Sequence, residues 1–173
     1  MSTTRIALWS GPRNISTALM YSFAQRPDTA VFDEPLYAHY LSHTPAHGYH
    51  PGADDVLATQ ENDGQKVIET LFLGPHAQPV LFIKNMTHHL VDLDWGFLEQ
   101  MVNVILTRDP VEMLPSYAKQ IPHPTLADTG YADHLRLLDY LRVRGQEPAV
   151  LDGKQVLLNP RKVLGALCEQ IGI

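Results

Sequence analysis

A single cysteine, Cys168, in a chain of 173 residues excludes an internal disulfide framework and makes a cytoplasmic location the default. No apolar run approaches the roughly 20 residues that span a bilayer, and the N-terminus carries no long apolar targeting core. Neither membrane insertion nor secretion is encoded in the sequence. Cations are also scarce. Thirteen Lys and Arg face 19 Asp and Glu, for a formal net charge of -6. Nothing global draws the chain to nucleic acid or an anionic membrane, so any anion site must be local. What is present is a hydrophobic content of 45% with 18% charged residues, the composition of one globular domain over residues 1–173 with a genuine core.

The most informative segment is Leu8-Trp9-Ser10-Gly11-Pro12-Arg13-Asn14-Ile15-Ser16-Thr17. Arg5 to Trp9 reads as a buried strand, Gly11-Pro12 as a turn, and Ser16-Thr17 as the start of a helix through Ala24. Unpaired amides at a helix start attract an anion, an arginine grips phosphate oxygens in a fork, and hydroxyls add hydrogen bonds. Gly11, Pro12, Arg13, Asn14, Ile15, Ser16 and Thr17 are therefore candidate phosphate-binding residues. The standard ATP loop is excluded, because it needs a second glycine followed by Lys and Ser or Thr. The blander reading is a turn whose Ser16 merely caps the helix.

Further along, Ala30 to Phe32 reads as a second strand ending at Asp33-Glu34. Residues 37–60 carry histidines, prolines and glycines without sustained periodicity, as in a loop or lid with short helical pieces. Gln65 to Leu73 reads as helix, Pro79 to Lys84 as strand, and Trp95 to Met101 as a short helix. Val102 to Thr107 reads as strand, followed by a helix from near Val111 that Pro115 interrupts. Tyr131 to Arg144 reads as a long helix, and Ala149 to Leu151 and Gln155 to Leu158 as short strands. Alternating apolar strands and helices favour a three-layer α/β/α fold around a mostly parallel sheet, P-loop NTPase-like, with ligand loops at the strand carboxyl ends. The last helix meets a glycine stop with one apolar residue beyond it. That residue either packs back on the helix or introduces a continuation past residue 173.

Other chemistry-bearing residues stand at strand ends. Arg108 and Ser116 suit a second phosphate; the alternative pairs Arg108 with Asp109 or Glu112. Lys84 can steady charge on a leaving bridge oxygen. Glu34 and His88, with Asp33 and His89 beside them, compete for the role of general base. His39, His43, His47 and His50, near Asp54 and Asp55, lack a compact metal-ligand signature and read as an acceptor-side segment, so no metal is expected. The aromatic residues have no interleaved basic patch, which argues against nucleic acid.

Gly11 to Thr17, taken with Leu106-Thr107-Arg108-Asp109-Pro110 and Ser116, resembles the sulfotransferase superfamily that uses 3'-phosphoadenosine 5'-phosphosulfate. The resemblance implies a P-loop-like α/β fold in which Arg13, Ser16 and Thr17 hold the 5'-phosphosulfate end and Arg108 and Ser116 hold the 3'-phosphate. Glu34, in Phe-Asp-Glu-Pro-Leu-Tyr, matches the base of tyrosylprotein-type members. Lys84 matches the lysine of a Lys-Thr-His motif whose histidine spacing is altered here. The first loop has Ile15-Ser16-Thr17 where Gly-Thr-Thr is frequent, and the Arg-Lys-Gly and Gly-Asp-Trp closing loop of many members has no counterpart. The expected reaction is sulfuryl transfer to a hydroxyl or amine on a small-molecule or peptide acceptor, without metal, in a chain that can form homo-oligomers. A P-loop kinase or nucleoside-triphosphate hydrolase and a noncatalytic nucleotide-binding or assembly module are the alternatives.

Overall fold

The computed structural model describes residues 3–173. Five strands, β1 (Thr4–Ser10), β2 (Thr29–Asp33), β3 (Val80–Met86), β4 (Val102–Thr107) and β5 (Ala149–Asp152), form one parallel sheet in the order β2-β3-β1-β4-β5. The helices are α1 (Ser16–Ala24), α2 (Tyr37–His43), α3 (Ala53–Thr59), α4 (Gly64–Val67), α5 (Pro110–Tyr117), α6 (Leu126–Thr129), α7 (Tyr131–Val143), α8 (Gly153–Leu158) and α9 (Pro160–Ile171), joined by loops and short 3-10 or π turns.

The middle place of β1 follows from its composition. Ile6, Ala7, Leu8 and Trp9 are all fully buried, and a strand apolar on both faces needs a covering layer on each. Alternation sends Ile6 and Leu8, with Phe82 and Leu106, against Leu19 and Phe23 of α1 and Leu167 of α9. Phe23 stacks on Phe82 with ring centroids 4.2 Å apart. Ala7 and Trp9, with Ile83 and Ile105, face Leu137 and Leu141 of α7 and Phe72. The result is the three-layer α/β/α arrangement expected from the strand and helix pattern.

The buried Trp9 indole reaches a polar partner inside this core. Its Nε1 donates to Asn103 Oδ1 at 2.9 Å, and Asn103 Nδ2 donates to the Leu98 carbonyl at 2.8 Å and to Gln146 Oε1 at 2.9 Å. One amide thus ties β1, β4 and the segment entering β5 together.

The local chain departs from the sequence reading in two places. Gln155 to Leu158 belongs to helix α8, not to a strand: Asp152 caps it by accepting from Lys154 N at 2.7 Å, and its Val156 packs on the α1 side of the sheet. Pro115 does not interrupt α5, which runs through it to Tyr117. Residues 37–60 hold α2, a 3-10 turn (Pro45–Gly48) and α3, whose Tyr40, Leu41, Ala46 and Ala53 make a small buried cluster. At the other end, Gly172 takes a left-handed conformation, Ile173 N donates to the Cys168 carbonyl at 3.0 Å, and Ile173 packs on the α1-side core. No described helix is long and apolar enough to cross a membrane.

Asn103→Ala should lower unfolding free energy by about 2–3 kcal/mol, because it strands the buried Trp9 N–H and removes the amide's bonds to Leu98, Met101 and Gln146. Urea denaturation checks this, with a shift in midpoint at constant slope as the expected signature.

Candidate active site

The strand order brings four loops to one edge. β1 lies between β3 and β4, so the loop after β1 opens where the chain switches from one half of the sheet to the other, the usual position of a ligand crevice in parallel sheets. A cleft of about 410 Å³ there is lined by Pro12, Arg13, Asn14, Ile15, Ser16 and Thr17 of the first loop, together with Glu34, Lys84, Arg108 and Ser116. Ten sequence-designated residues therefore share one cavity. Gly11 lies behind it, and His88 lies outside it, lining two neighbouring cavities.

The first loop is held from beneath. A Cβ on Gly11 would stand 2.7 Å from the Thr129 carbonyl at the end of α6, so only glycine lets the two backbones approach this closely. Asn14 Nδ2 donates to the Leu106 carbonyl at 3.1 Å, pinning the loop to β4. Ser16 does not cap α1: Ile15 occupies that place in a left-handed conformation with φ 60°, and no side chain bonds the helix start. The first amides of α1 have no side-chain cap, the arrangement that attracts an anion.

Backbone strain concentrates at this edge. Of the five described non-glycine residues with positive φ, Arg13, Ile15 and Glu34 all line the cleft. Each such conformation costs about 1–3 kcal/mol and persists where surrounding contacts impose it, commonly at functional sites. A branched side chain at Ile15 is the most strained of these, in the position where glycine would be at ease.

Arginines and hydroxyls form one array across the cleft. Arg13 Nε donates to Ser116 Oγ at 3.0 Å, and Arg108 Nη1 donates to the Arg13 carbonyl at 3.1 Å. Tyr131 braces Arg108 by donating to its carbonyl at 2.7 Å. Glu112 lies 3.5 Å from Arg108 Nε but is held more closely by Lys154, at 2.6 Å. Asp109 is taken up as the cap of α5, accepting from Val111 N at 2.8 Å.

Opposite this array lies a buried ion cluster. Lys84 is 3% exposed, and its ammonium reaches Asp33 at 2.8 Å and bonds Glu34 directly. Burial works against its charge, but the two carboxylates prevail and hold it above the ordinary lysine range, fully protonated. Burial pushes the Glu34 carboxyl up, with Lys84 pulling the other way. A carboxylate raised toward neutrality is a better proton acceptor than a solvated one.

The histidines occupy positions the sequence left undefined. His88 Nδ1 is buried without a partner among the described residues, close to Gly130. Burial pushes His88 down to about 3, His134 to about 4 and His89 well below its ordinary value. His39 bonds the Val91 carbonyl at 2.9 Å, His47 meets Asp54 at 3.1 Å and His50 meets the Tyr37 hydroxyl at 2.9 Å. These residues point to different partners, and among those described no three His, Cys, Asp or Glu side chains gather as for a metal. Asp128 was not singled out in the sequence, yet it accepts from the Tyr49 hydroxyl at 2.9 Å and closes a capping box with Thr125. The Thr-x-x-Asp spacing was the available signal.

A parallel sheet flanked by helices, with a strand, an uncapped left-handed turn and a helix at its edge, defines an α/β protein of the P-loop-like class. The sulfotransferase domain model matches residues 4–173, and the chain belongs to that family. Branched-chain-amino-acid aminotransferase-like protein 2 of Arabidopsis thaliana is 35% identical over 169 residues, covering 97% of this chain and 30% of that protein. Its companion, aminotransferase-like protein 1, is 36% identical over 167 residues, covering 95% and 29% respectively. The chain thus spans under a third of the length of these curated relatives. Among solved structures, a sulfotransferase from Alicyclobacillus acidocaldarius superposes with a TM-score of 0.67 at 14% identity, over 100% of this chain and 82% of that one. The sulfotransferase domain from the curacin biosynthetic pathway gives 0.54 at 17% identity, over 99% and 74%. Both likenesses show the shared fold.

The neutral buried imidazoles make the fold acid-sensitive. Unfolded histidines take up protons near pH 6.5, whereas His134 and His88 in the folded chain wait until about 4 and about 3. Stability is therefore complete above pH 6.5 and falls as pH drops, by up to about 1.4 kcal/mol per pH unit for each such histidine. Denaturation midpoints at pH 7 and pH 5 should show this loss, and His134→Gln, which cannot titrate, should flatten it.

Proposed function

We propose that this chain transfers a sulfuryl group from 3'-phosphoadenosine 5'-phosphosulfate to a hydroxyl or amine acceptor. The observation that carries the proposal is the convergence in one cleft of the uncapped α1 start, Arg13, Arg108 and Ser116 on one side and the Lys84–Glu34 pair on the other. The donor set fits the proposed cofactor: Arg108 Nε is buried without a hydrogen-bond partner among the described residues, and the guanidinium groups of Arg13 and Arg108 line the cleft. When bound, the nucleotide supplies the activated sulfuryl group.

In this reading the α1 amides, Arg13, Ser16 and Thr17 hold the 5' end, and Arg108 with Ser116 holds the 3'-phosphate. Lys84, kept charged by its two carboxylates, faces the charge that develops on the leaving phosphate. Glu34 takes the acceptor proton, its raised affinity for protons suiting it better than His88, whose imidazole burial makes a weak base. No metal is assigned a role. The aminotransferase-like names of the plant relatives describe proteins of which this chain spans under a third. A lysine that forms an imine must present a free amine, whereas Lys84 is locked as an ammonium. For a magnesium-dependent phosphotransferase, Asp33 is already bound to Lys84, and the loop carries arginine where the phosphate lysine is required.

Calorimetric titration with adenosine 3',5'-bisphosphate and with AMP tests the nucleotide assignment. Wild type should prefer the bisphosphate, and Arg108→Ala should weaken it about 10- to 100-fold. AMP should lose only about threefold, through the lost brace on the Arg13 carbonyl. Equal losses for both ligands would refute the division between 5' and 3' groups. Separately, Glu34→Gln should cut turnover by about 100- to 10,000-fold with nucleotide affinity nearly unchanged; unaltered turnover removes Glu34 as the base.

A further inference from the structure

The ends of β4 and β5 stand side by side, with Thr107 opposite Asp152, so the segments leaving them run together past the rim of the nucleotide cleft. From β4 come Arg108 and then Glu112, in the first turn of α5. From β5 comes Lys154, whose backbone N–H is fixed by Asp152 at 2.7 Å as α8 begins. A Cβ on Gly153 would lie 3.3 Å from the Thr107 carbonyl and 3.7 Å from Arg108 Cβ, so α8 starts against the segment that carries Arg108. The outcome is a row of charges, Lys154, Glu112 and Arg108, of which only Arg108 lines the cleft. Resting on the reading of Arg108 as a phosphate ligand, we propose that Lys154 is a positioning residue: it draws the Glu112 carboxylate away from Arg108 and so keeps that guanidinium open to the nucleotide.

Three features of this row point to that role. Glu112 is shared unequally: Lys154 Nζ donates to one carboxylate oxygen at 2.6 Å, whereas the other oxygen stands 3.5 Å from Arg108 Nε, too far for a good charge-assisted hydrogen bond. Its carboxyl is held below the ordinary range by Lys154 first and by Arg108 less. Secondly, Arg108 Nε is buried without a hydrogen-bond partner among the described residues, although this carboxylate stands so near. A buried donor left unmade costs free energy, so Glu112 would close on it if nothing held the carboxylate back. Thirdly, a closed pair would compete with the ligand. Nε and the neighbouring Nη form the fork with which an arginine grips a phosphate, and a tethered carboxylate fits the same fork.

Lys154 therefore acts through Glu112 and not by touching the ligand. Lys154→Met and Glu112→Gln together remove one charge of each sign, so the double variant keeps the net charge of the wild type. Coupling between the two changes separates a positioning role from a simple sum of charges. Neither side chain belongs to the buried core, and Asp152 caps α8 through the backbone N–H of residue 154, so the cap survives both substitutions.

Calorimetric titration of the whole chain with adenosine 3',5'-bisphosphate gives the first readout. Lys154→Met should weaken binding about tenfold, because Glu112 then competes for Arg108. Lys154→Arg, which keeps the cation, should stay near wild type. Glu112→Gln alone should change affinity by less than about threefold, yet restore about tenfold in the Lys154→Met background. The second readout is the Arg108 Nε–H NMR signal of the nucleotide-free chain, assigned by its loss in Arg108→Ala. It should move downfield and exchange more slowly with water in Lys154→Met, and return in the double variant. Equal effects of Glu112→Gln in both backgrounds would overturn the proposal. So would a Lys154→Met loss that Glu112→Gln fails to restore, as for a lysine that touches the phosphate itself, or an Arg108 signal indifferent to Lys154. If the wild type binds no bisphosphate, the nucleotide reading of the cleft fails, and the Arg108 signal by itself decides whether Lys154 restrains Glu112.

Discussion

Everything at the functional edge depends on the burial of β1. Four consecutive residues, Ile6 to Trp9, have no exposed surface, and such a strand is stable only with helices on both faces and a strand on either side. β3 and β4 supply those neighbours in parallel register, Leu8 opposite Lys84 and Val104, Ser10 opposite Met86 and Leu106. Because parallel strands end together, the first loop comes to lie between the ends of β3 and β4. The cleft is a consequence of where the most apolar strand had to go.

A second constraint is electrostatic. The chain is acidic overall, yet the cleft gathers two arginines, a buried lysine and the positive end of a helix. Each cation is held by a partner that leaves some donors facing the cavity: Arg13 by Ser116, Arg108 by the Arg13 carbonyl and a distant Glu112, and Lys84 by Asp33 and Glu34. Lys84 cannot remain charged at 3% exposure without both carboxylates. The same ion pair offsets the charge of Glu34 at the wall it shares with the adjoining pocket. Glu34 lines both this cleft and the cavity beside it, so the ion pair with Lys84 touches the two together.

Much of this was legible before the fold was known. The strands at Ala30–Phe32, Val102–Thr107 and Ala149–Leu151 were readable because short apolar runs bounded by breakers have few alternatives, and strand ends mark Glu34, Lys84 and Arg108. Gln155–Leu158 was misread because four residues carry too little periodicity to separate strand from helix; the Asp152 cap decides it. Pro115 suggested a break, but its missing N–H costs only one hydrogen bond near the end of a short helix. The histidines were the least legible. Whether an imidazole is a ligand, a base or a neutral wall depends on its burial, and nothing local to His88, His89 or His134 reveals that α2, α6 and α7 enclose them.

Local chemistry along the chain settled which segments turn, where helices start and which residues stand at strand ends, since those properties arise from neighbours within a few positions. Which ends meet was decided only in three dimensions. Asn14 finds the Leu106 carbonyl 92 residues away, Arg13 finds Ser116 across 103, and Lys84 finds Glu34 across 50. The contact of Gly11 with Thr129 likewise exists only once α6 packs beneath the loop. Partners so distant are chosen by sheet order and helix packing, which depend on the whole apolar core.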